Sequence, residues 1–248
     1  MGVSGVSRVR DRSSAQWVVT LYPDAGEACG AWVDPMRRHD PLPATQRGVG
    51  TDEVAVRRSR SRLRRYMVAN RLNRFGSLTY AGEGCHDPKV LRRDLAAFFR
   101  ELRSSLGGNP FPYVWVPELH KTGHGWHAHF GLNRYVNRSV IDRAWGHGFV
   151  HIKLFGNLPH GSTARDEARK AARYASKYLG KDLAGYEGLH RYEVAQGFQP
   201  AGLGFFGKSA SACVAAAAEK MGADPGRVWL SASHAEWDGP PAVYAEWR

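Results

Sequence analysis

Hydrophobic and polar positions change period along this chain, and the changes mark its elements. β-Branched and aromatic residues in FPYVWVPEL (111–119) predict a strand, and GWHAHFGLN (125–133) predicts a second. The short HKTGHG between them predicts a hairpin. GFVHIKLF (148–155) alternates as a further strand, FGSLTYAG (75–82) reads as a strand running into a glycine turn, and QWVVTLY (16–22) as a short strand. Helical spacing governs KVLRRDLAAFFRELRSSLG (89–107), with Asp87 as N-cap, Pro88 at the first helical position and Gly107 as the stop. VAVRRSRSRLRRYMVANRLNR (54–74) predicts a basic helix ending near Asn73, NRSVIDRAWG (137–146) a short helix, and TARDEARKAARYASKYLGKDL (163–183) a long one.

The resulting order, β-α-β-β-α-β-α, predicts an α+β fold: a central antiparallel sheet with helices packed on one face, close to a ferredoxin-like arrangement. The other face is left open for chemistry. Residues 54–200 make up this core. Residues 1–53 are expected to be a partly flexible N-terminal extension, with little structure of its own from Pro23 to Asp52, and residues 201–248 a C-terminal extension packed on or beside the core. No internal repeat or low-complexity tract is visible.

Composition narrows the partners. The 248 residues carry 35 Lys plus Arg against 23 Asp plus Glu, a net charge of +12, and most of the cations are arginine. Guanidinium forks pair well with phosphate, so nucleic acid is the expected partner. The three cysteines, Cys29, Cys85 and Cys213, form no CxxC pair and fit a reducing compartment. With no apolar run long enough to span a bilayer and no signal-peptide pattern, the expectation is a soluble cytoplasmic protein without a membrane partner.

His127 and His129 stand one residue apart, so on a strand they share a face, roughly 7 Å apart along it. The hairpin brings Glu118 across from them, where a carboxylate can join two imidazoles around one ion. Such a set leaves coordination positions open for water or substrate. His120 and His124 are alternatives to Glu118 for the third ligand. In RYASKYLGK (173–181), Tyr174 and Tyr178 are one helical turn apart, and Lys177 and Lys181 each follow a tyrosine by three. A phenol is a poor nucleophile near neutral pH unless a cation or base stands beside it. The competing explanation is two tyrosines packed on the sheet with lysines reaching outward. Beside a metal that polarises a phosphodiester, the pair suits attack on DNA, giving a phosphotyrosyl link to the 5′ end and a free 3′ hydroxyl.

SLTYA (77–81), ELHKTGHGWHAHF (118–130) and YASKYLGKD (174–182) resemble, in order, the three motifs of the HUH endonucleases, and in particular the two-tyrosine rolling-circle replication initiators of plasmids and single-stranded DNA phages. The resemblance spans residues 54 to about 200. It implies an RRM-like nuclease core, a Mg²⁺ or Mn²⁺ cofactor, a single-stranded or hairpin origin, and site-specific nicking and joining. Tyr174 and Tyr178 would then alternate as nucleophiles, Lys177 and Lys181 match the motif lysines, and Thr79 supports the site or contacts DNA. No helicase domain is recognisable, so a separate host or plasmid helicase is implied. A transposase or relaxase built on the same core, or a non-catalytic RRM-like DNA-binding protein, are the rival readings; the latter predicts binding without cleavage.

For DNA contact the best candidates are Arg57, Arg58, Arg60, Arg62, Arg64 and Arg65 on the basic helix. Tyr113, Trp115 and Trp126 are candidate stacking platforms for unpaired bases. GLGFFGKS (202–209) fits the phosphate-binding pattern GxxxxGK[ST], but a turn-like QGFQPA stands where a buried strand should precede it, so the match is expected to be fortuitous.

Overall fold

A computed structural model describes residues 6–7, 16–34, 49–153, 155, 158–179 and 189–248. In chain order its strands and helices begin with β1 (Val6–Ser7), β2 (Gln16–Tyr22), β3 (Glu27–Val33) and α1 (Val49–Ala69). Next come β4 (Arg74–Tyr80), α2 (Pro88–Ser105), β5 (Tyr113–Leu119), β6 (Trp126–Leu132), α3 (Arg138–Trp145), β7 (Gly148–Lys153) and α4 (Ala164–Ala175). The chain closes with β8 (Glu193–Val194), β9 (Leu203–Gly207), α5 (Ala210–Met221), β10 (Arg227–Leu230) and β11 (Ala242–Glu246). It divides into two units, residues 49–199 and the two flanking segments, 1–48 with 200–248. The class is α+β with antiparallel sheets.

In the unit 49–199 the sheet order is β7-β4-β6-β5-β8. Local chemistry sets most of the helix ends. Asp87 accepts from the Lys89 amide and Pro88 opens α2; Thr163 and Asp166 close a reciprocal capping box at the start of α4; Asn137 caps α3 and left-handed Gly146 ends it. The basic helix runs from Val49 and stops at Ala69, short of the expected Asn73. The Leu72 amide reaches back to the Met67 carbonyl and the Arg71 amide to Val68, with Arg71 itself at φ 56°. That bonding pattern terminates a helix whatever follows it in sequence.

The first face of this sheet carries Leu78, Tyr80, Trp115, Ala128, Phe130 and Leu132, packed against α2 and α3 through Leu91, Leu95, Phe98, Ile141 and Trp145. Each fully buried side chain of this size contributes roughly 1.5–3 kcal/mol. The second face is covered in part, by α1 and α4. Gly131 lies on it, and a Cβ there would sit 3.6 Å from Met67 Cε of α1, while Phe75 meets Tyr174 of α4 edge-on at 5.5 Å. Helices therefore lie on both faces, and the polar face is a partly roofed groove where the sequence suggested an open surface.

The flanking segments form their own six-stranded sheet, β1-β9-β2-β3-β11-β10. Val19, Leu21, Ala28, Phe205, Val243 and Ala245 pack on α5. The expected loop from Pro23 to Asp52 contains β3, which pairs along its length with β2 after a tight turn at Gly26, φ 62°. Its pattern was weak because the strand is built from small residues: a Cβ on Gly30 would lie 2.1 Å from the Val18 carbonyl oxygen, so no larger side chain fits. The phosphate-loop pattern is explained here as well. Leu203–Gly207 is strand β9, its backbone paired with β2, and the Ser209 hydroxyl caps α5 by accepting from the Ala212 amide.

Candidate metal centre and the tyrosine turn

The register of three strands builds the site. Glu118 of β5 lies directly opposite His127 of β6, and β4 places Thr79 opposite His127 and Ser77 opposite His129. All five side chains leave the sheet on its second face, because residues paired directly across strands share a side. Glu118, His127 and His129 are 7%, 8% and 6% exposed, a depth at which ionisable groups need partners.

The partners are mutual. His127 Nε2 and His129 Nε2 both reach Glu118 Oε2, at 2.9 and 2.6 Å, each imidazole N–H donating to the carboxylate. Ser77 Oγ lies 2.8 Å from His129 Nδ1 and, with the Nε2–H given to Glu118, its hydroxyl donates to that nitrogen. His127 Nδ1 is buried with no hydrogen-bond partner. Burial pushes the His127 imidazole below its ordinary value; burial and then the neighbouring His127 push His129 down to about 3. Both rings are neutral at physiological pH, as metal ligation requires.

One donor atom from each of the three residues lies within 4.8 Å of the others. Around an ion with ligand bonds of about 2.1 Å, donors stand roughly 3 to 3.5 Å apart, so each imidazole nitrogen, already 2.6–2.9 Å from the carboxylate oxygen, needs to draw back from it only slightly. The group can hold a metal ion, with Ser77 positioned to orient one imidazole. His124 donates from Nε2 to the Tyr80 carbonyl at 2.9 Å, and His120 Nδ1 lies 2.6 Å from Thr122 Oγ1. Neither belongs to the converging group.

The tyrosines meet this centre. α4 ends at Ala175, earlier than the expected residue 183, and a tighter turn follows in which Lys177 N bonds Tyr174 O and Tyr178 N bonds Ala175 O. Ser176 Oγ takes the Ala172 carbonyl, and Arg60 Nε donates to Ser176 O at 3.3 Å. Such i→i+3 bonds are a common way for a helix to finish. The Tyr178 ring stacks on His129 with centroids 3.7 Å apart and planes 24° apart, and Tyr174 meets Tyr178 edge-on at 5.5 Å. Lys177 Nζ and Lys153 Nζ each stand 5.5 Å from the centre of the Tyr174 ring. Burial first, then the hydrogen bond and charge of Tyr174, pushes the Tyr178 phenol well above its ordinary value, so releasing its proton needs added positive charge. Lys181 lies outside the described residues.

On α1, Arg57, Arg58, Arg60 and Arg62 are exposed and Arg64 and Arg65 half-buried. The expected stacking platforms are corrected. Trp115 and Trp126 are 3% and 1% exposed in the apolar layer, and Tyr113 lies flat on Phe99 at 3.7 Å. The aromatic that does face solvent beside the centre is Phe149, 68% exposed on edge strand β7 and paired with Thr79. Its neighbours on the same side, His151 and Lys153, are exposed too. The alternation in GFVHIK was the signal for this strip: Val150 and Ile152 take the core side, so Phe149 must take the polar one.

Residues 73–183 match the family model described as replication-associated protein ORF2/G2P. The matched segment contains β4 through α4, hence every residue of the His/Glu group and both tyrosines. No curated protein and no solved structure matches the chain. Among the described residues no helix is long and apolar enough to cross a membrane.

Proposed function

We propose that residues 49–199 form an HUH-type nicking and joining module that initiates rolling-circle replication, acting on a single-stranded or hairpin origin. The observation that carries this reading is the Tyr178 ring lying on His129, which puts a nucleophile-bearing side chain against a ligand of the candidate ion. Glu118, His127 and His129 would hold Mg²⁺ or Mn²⁺, which when bound polarises a phosphodiester and offsets its charge. Attack by a phenolic oxygen of Tyr174 or Tyr178 forms an O–P bond as the P–O3′ bond breaks. The phenol's proton is balanced by the one the departing 3′ oxygen takes up, leaving a 3′ hydroxyl and a 5′-phosphotyrosyl link.

The chain's own residues supply the rest. Lys177, with Lys181 as the second motif lysine, lowers the cost of negative charge on the phenols and on the bound phosphate. The edge-to-face contact of the two tyrosines allows each to serve the same phosphate, so that one opens a round and the other closes it. Arg57, Arg58, Arg60, Arg62, Arg64 and Arg65 neutralise backbone phosphates, and Thr79, beside His127, steadies the strand at the centre. Unwinding falls to a separate helicase.

The test is covalent capture. The purified chain, Mn²⁺ and single-stranded DNA from its own replicon should give an adduct that survives denaturing electrophoresis and is lost in excess EDTA. Tyr174→Phe with Tyr178→Phe should abolish the adduct and leave binding within about twofold. An undiminished adduct in the double variant would falsify the assignment of the nucleophiles.

A further inference from the structure

At the end of the same sheet, where β4 begins and β6 and β7 finish, a cavity of about 500 Å³ opens to solvent. Phe130, Leu132, Ile141 and Ile152 make its apolar lining. Arg74, Arg134, Arg138 and Lys153 line it as well, against a single carboxylate, Glu167; Arg138 also pairs with Asp142 at 3.5 Å. A concave, mostly apolar chamber of this size suits a ligand about as large as a nucleoside. Its surplus of cations suits a ligand that carries phosphate.

One polar atom makes the ligand more specific. Asn73 lines the cavity, and its Nδ2 donates to Glu167 Oε2. A carboxylate accepts and the amide nitrogen donates, so this bond fixes which way the amide faces. That leaves Asn73 Oδ1 buried with no hydrogen-bond partner. A buried acceptor left unpaired is costly and calls for a donor from elsewhere. Adenine, cytosine and guanine carry such a donor as an exocyclic amine; thymine offers only its imide N3–H, set between two carbonyls that the Glu167 carboxylate bonded to Asn73 would repel.

The cavity also adjoins the metal centre. Phe75 lines it and stacks parallel to His129 at 5.9 Å, while the paired rows of Phe75 and Ser77 lie two residues, roughly 7 Å, apart along β4. We propose that this cavity receives one amine-bearing nucleobase of the DNA strand presented to the centre, with Asn73 accepting from the amine, the apolar lining taking the ring and the four cations holding the flanking phosphates. It would give the chain a base preference close to the cleaved bond. This inference rests on the single-strand reading above and deepens it.

The experiment separates the two. Full-length protein in EDTA is titrated with fluorescein-labelled dA12, dC12 and dT12, so that no cleavage is needed. The unmodified protein should bind dA12 or dC12 about tenfold more tightly than dT12. Ile152→Trp, which fills the chamber, should bring the three affinities together, whereas Arg74→Ala should weaken all three alike. The comparison on unmodified protein needs no variant, so a misfolded Ile152→Trp does not rescue the idea. Equal affinities for the three strands, or a preference that survives in a folded Ile152→Trp, overturns the cavity assignment even if Mn²⁺-dependent adducts form. A base preference without any adduct overturns the nicking function and leaves the cavity standing.

Discussion

The two faces of β6 are equally hidden and chemically opposite. Trp126, Ala128, Phe130 and Leu132 point into the layer shared with α2 and α3, and His127, His129 and Gly131 point into the groove beneath α1 and α4. On the first face burial is favourable for every atom. On the second it removes two imidazoles and a carboxylate from water, a cost met by Glu118 and Ser77 except at His127 Nδ1. A strand of seven residues thus separates its two tasks by alternation alone: one side holds the fold, and the other carries groups whose burial stability does not call for.

Breaking the polar side should therefore cost chemistry far more than stability. His127→Ala is expected to reduce Mn²⁺-dependent adduct formation by about a thousandfold or more, equivalent to ~4 kcal/mol in the transition state, with little fall in the thermal midpoint. Calorimetry and single-turnover nicking read the two sides independently. A variant that loses its fold as well as its activity would mean that the histidines are structural. The mirror experiment is Phe130→Ala, one residue beyond His129. It should cost about 3–5 kcal/mol of folding stability in urea titration. Where the protein remains folded, at low temperature, its metal affinity should be unchanged.

Ser77→Ala sharpens the comparison without breaking it. The hydroxyl touches only the imidazole nitrogen that faces away from Glu118, so its removal should weaken Mn²⁺ binding by about 10- to 100-fold and leave the apolar layer intact. Isothermal titration of Mn²⁺ checks this, and Ser77→Thr, which keeps the hydroxyl, should recover most of the loss. Unaltered affinity in Ser77→Ala would show that His129 is oriented by its stacking on Phe75 and Tyr178 instead.

Legibility in the sequence followed the same division. β-Branched and aromatic content was enough to find β5, and period-two alternation to find β7; the predicted hairpin brought Glu118 across from His127 and His129, with His120 and His124 left as alternatives. Asp87 and Pro88 marked the start of α2 in the sequence, and Asn137 and Thr163, which cap α3 and α4, act just as locally, within three residues of themselves. What was missed depends on residues far apart in sequence. Whether Trp115 and Trp126 face a core or a ligand is decided by α2, which nothing in their own strands encodes. Strand β3 depended on small side chains accepting a close neighbour, and Ala28, Gly30 and Ala31 leave no hydrophobic trace. Tyr178 was assigned to a helix stripe, yet it reaches His129 from a tighter turn after the helix ends, where Ser176 Oγ donates to the Ala172 carbonyl, and spacing alone does not show that turn.

Phe149 gives the smallest effect and tests whether the polar face extends past its ligands. It stands two strands from His127, about 10 Å away at the usual strand spacing, on the same side of the sheet and open to solvent. Single exposed aromatics are ordinary on protein surfaces, so exposure alone assigns nothing. If residues 49–199 handle single-stranded DNA as proposed, alignment with the row of His127, and with exposed His151 and Lys153 along β7, would make it a platform for an unpaired base leaving the centre. Phe149→Ala should then weaken single-strand binding in EDTA by ~1 kcal/mol, about fivefold, at the low end for base stacking because one side of the ring stays wet. Phe149→Tyr should restore it and Phe149→Leu should not, since a flat π-face matters and apolar area does not. Thermal stability should stay constant across the three. Equal affinities for Ala, Leu and Phe at this position would confine the working face to β4, β5 and β6.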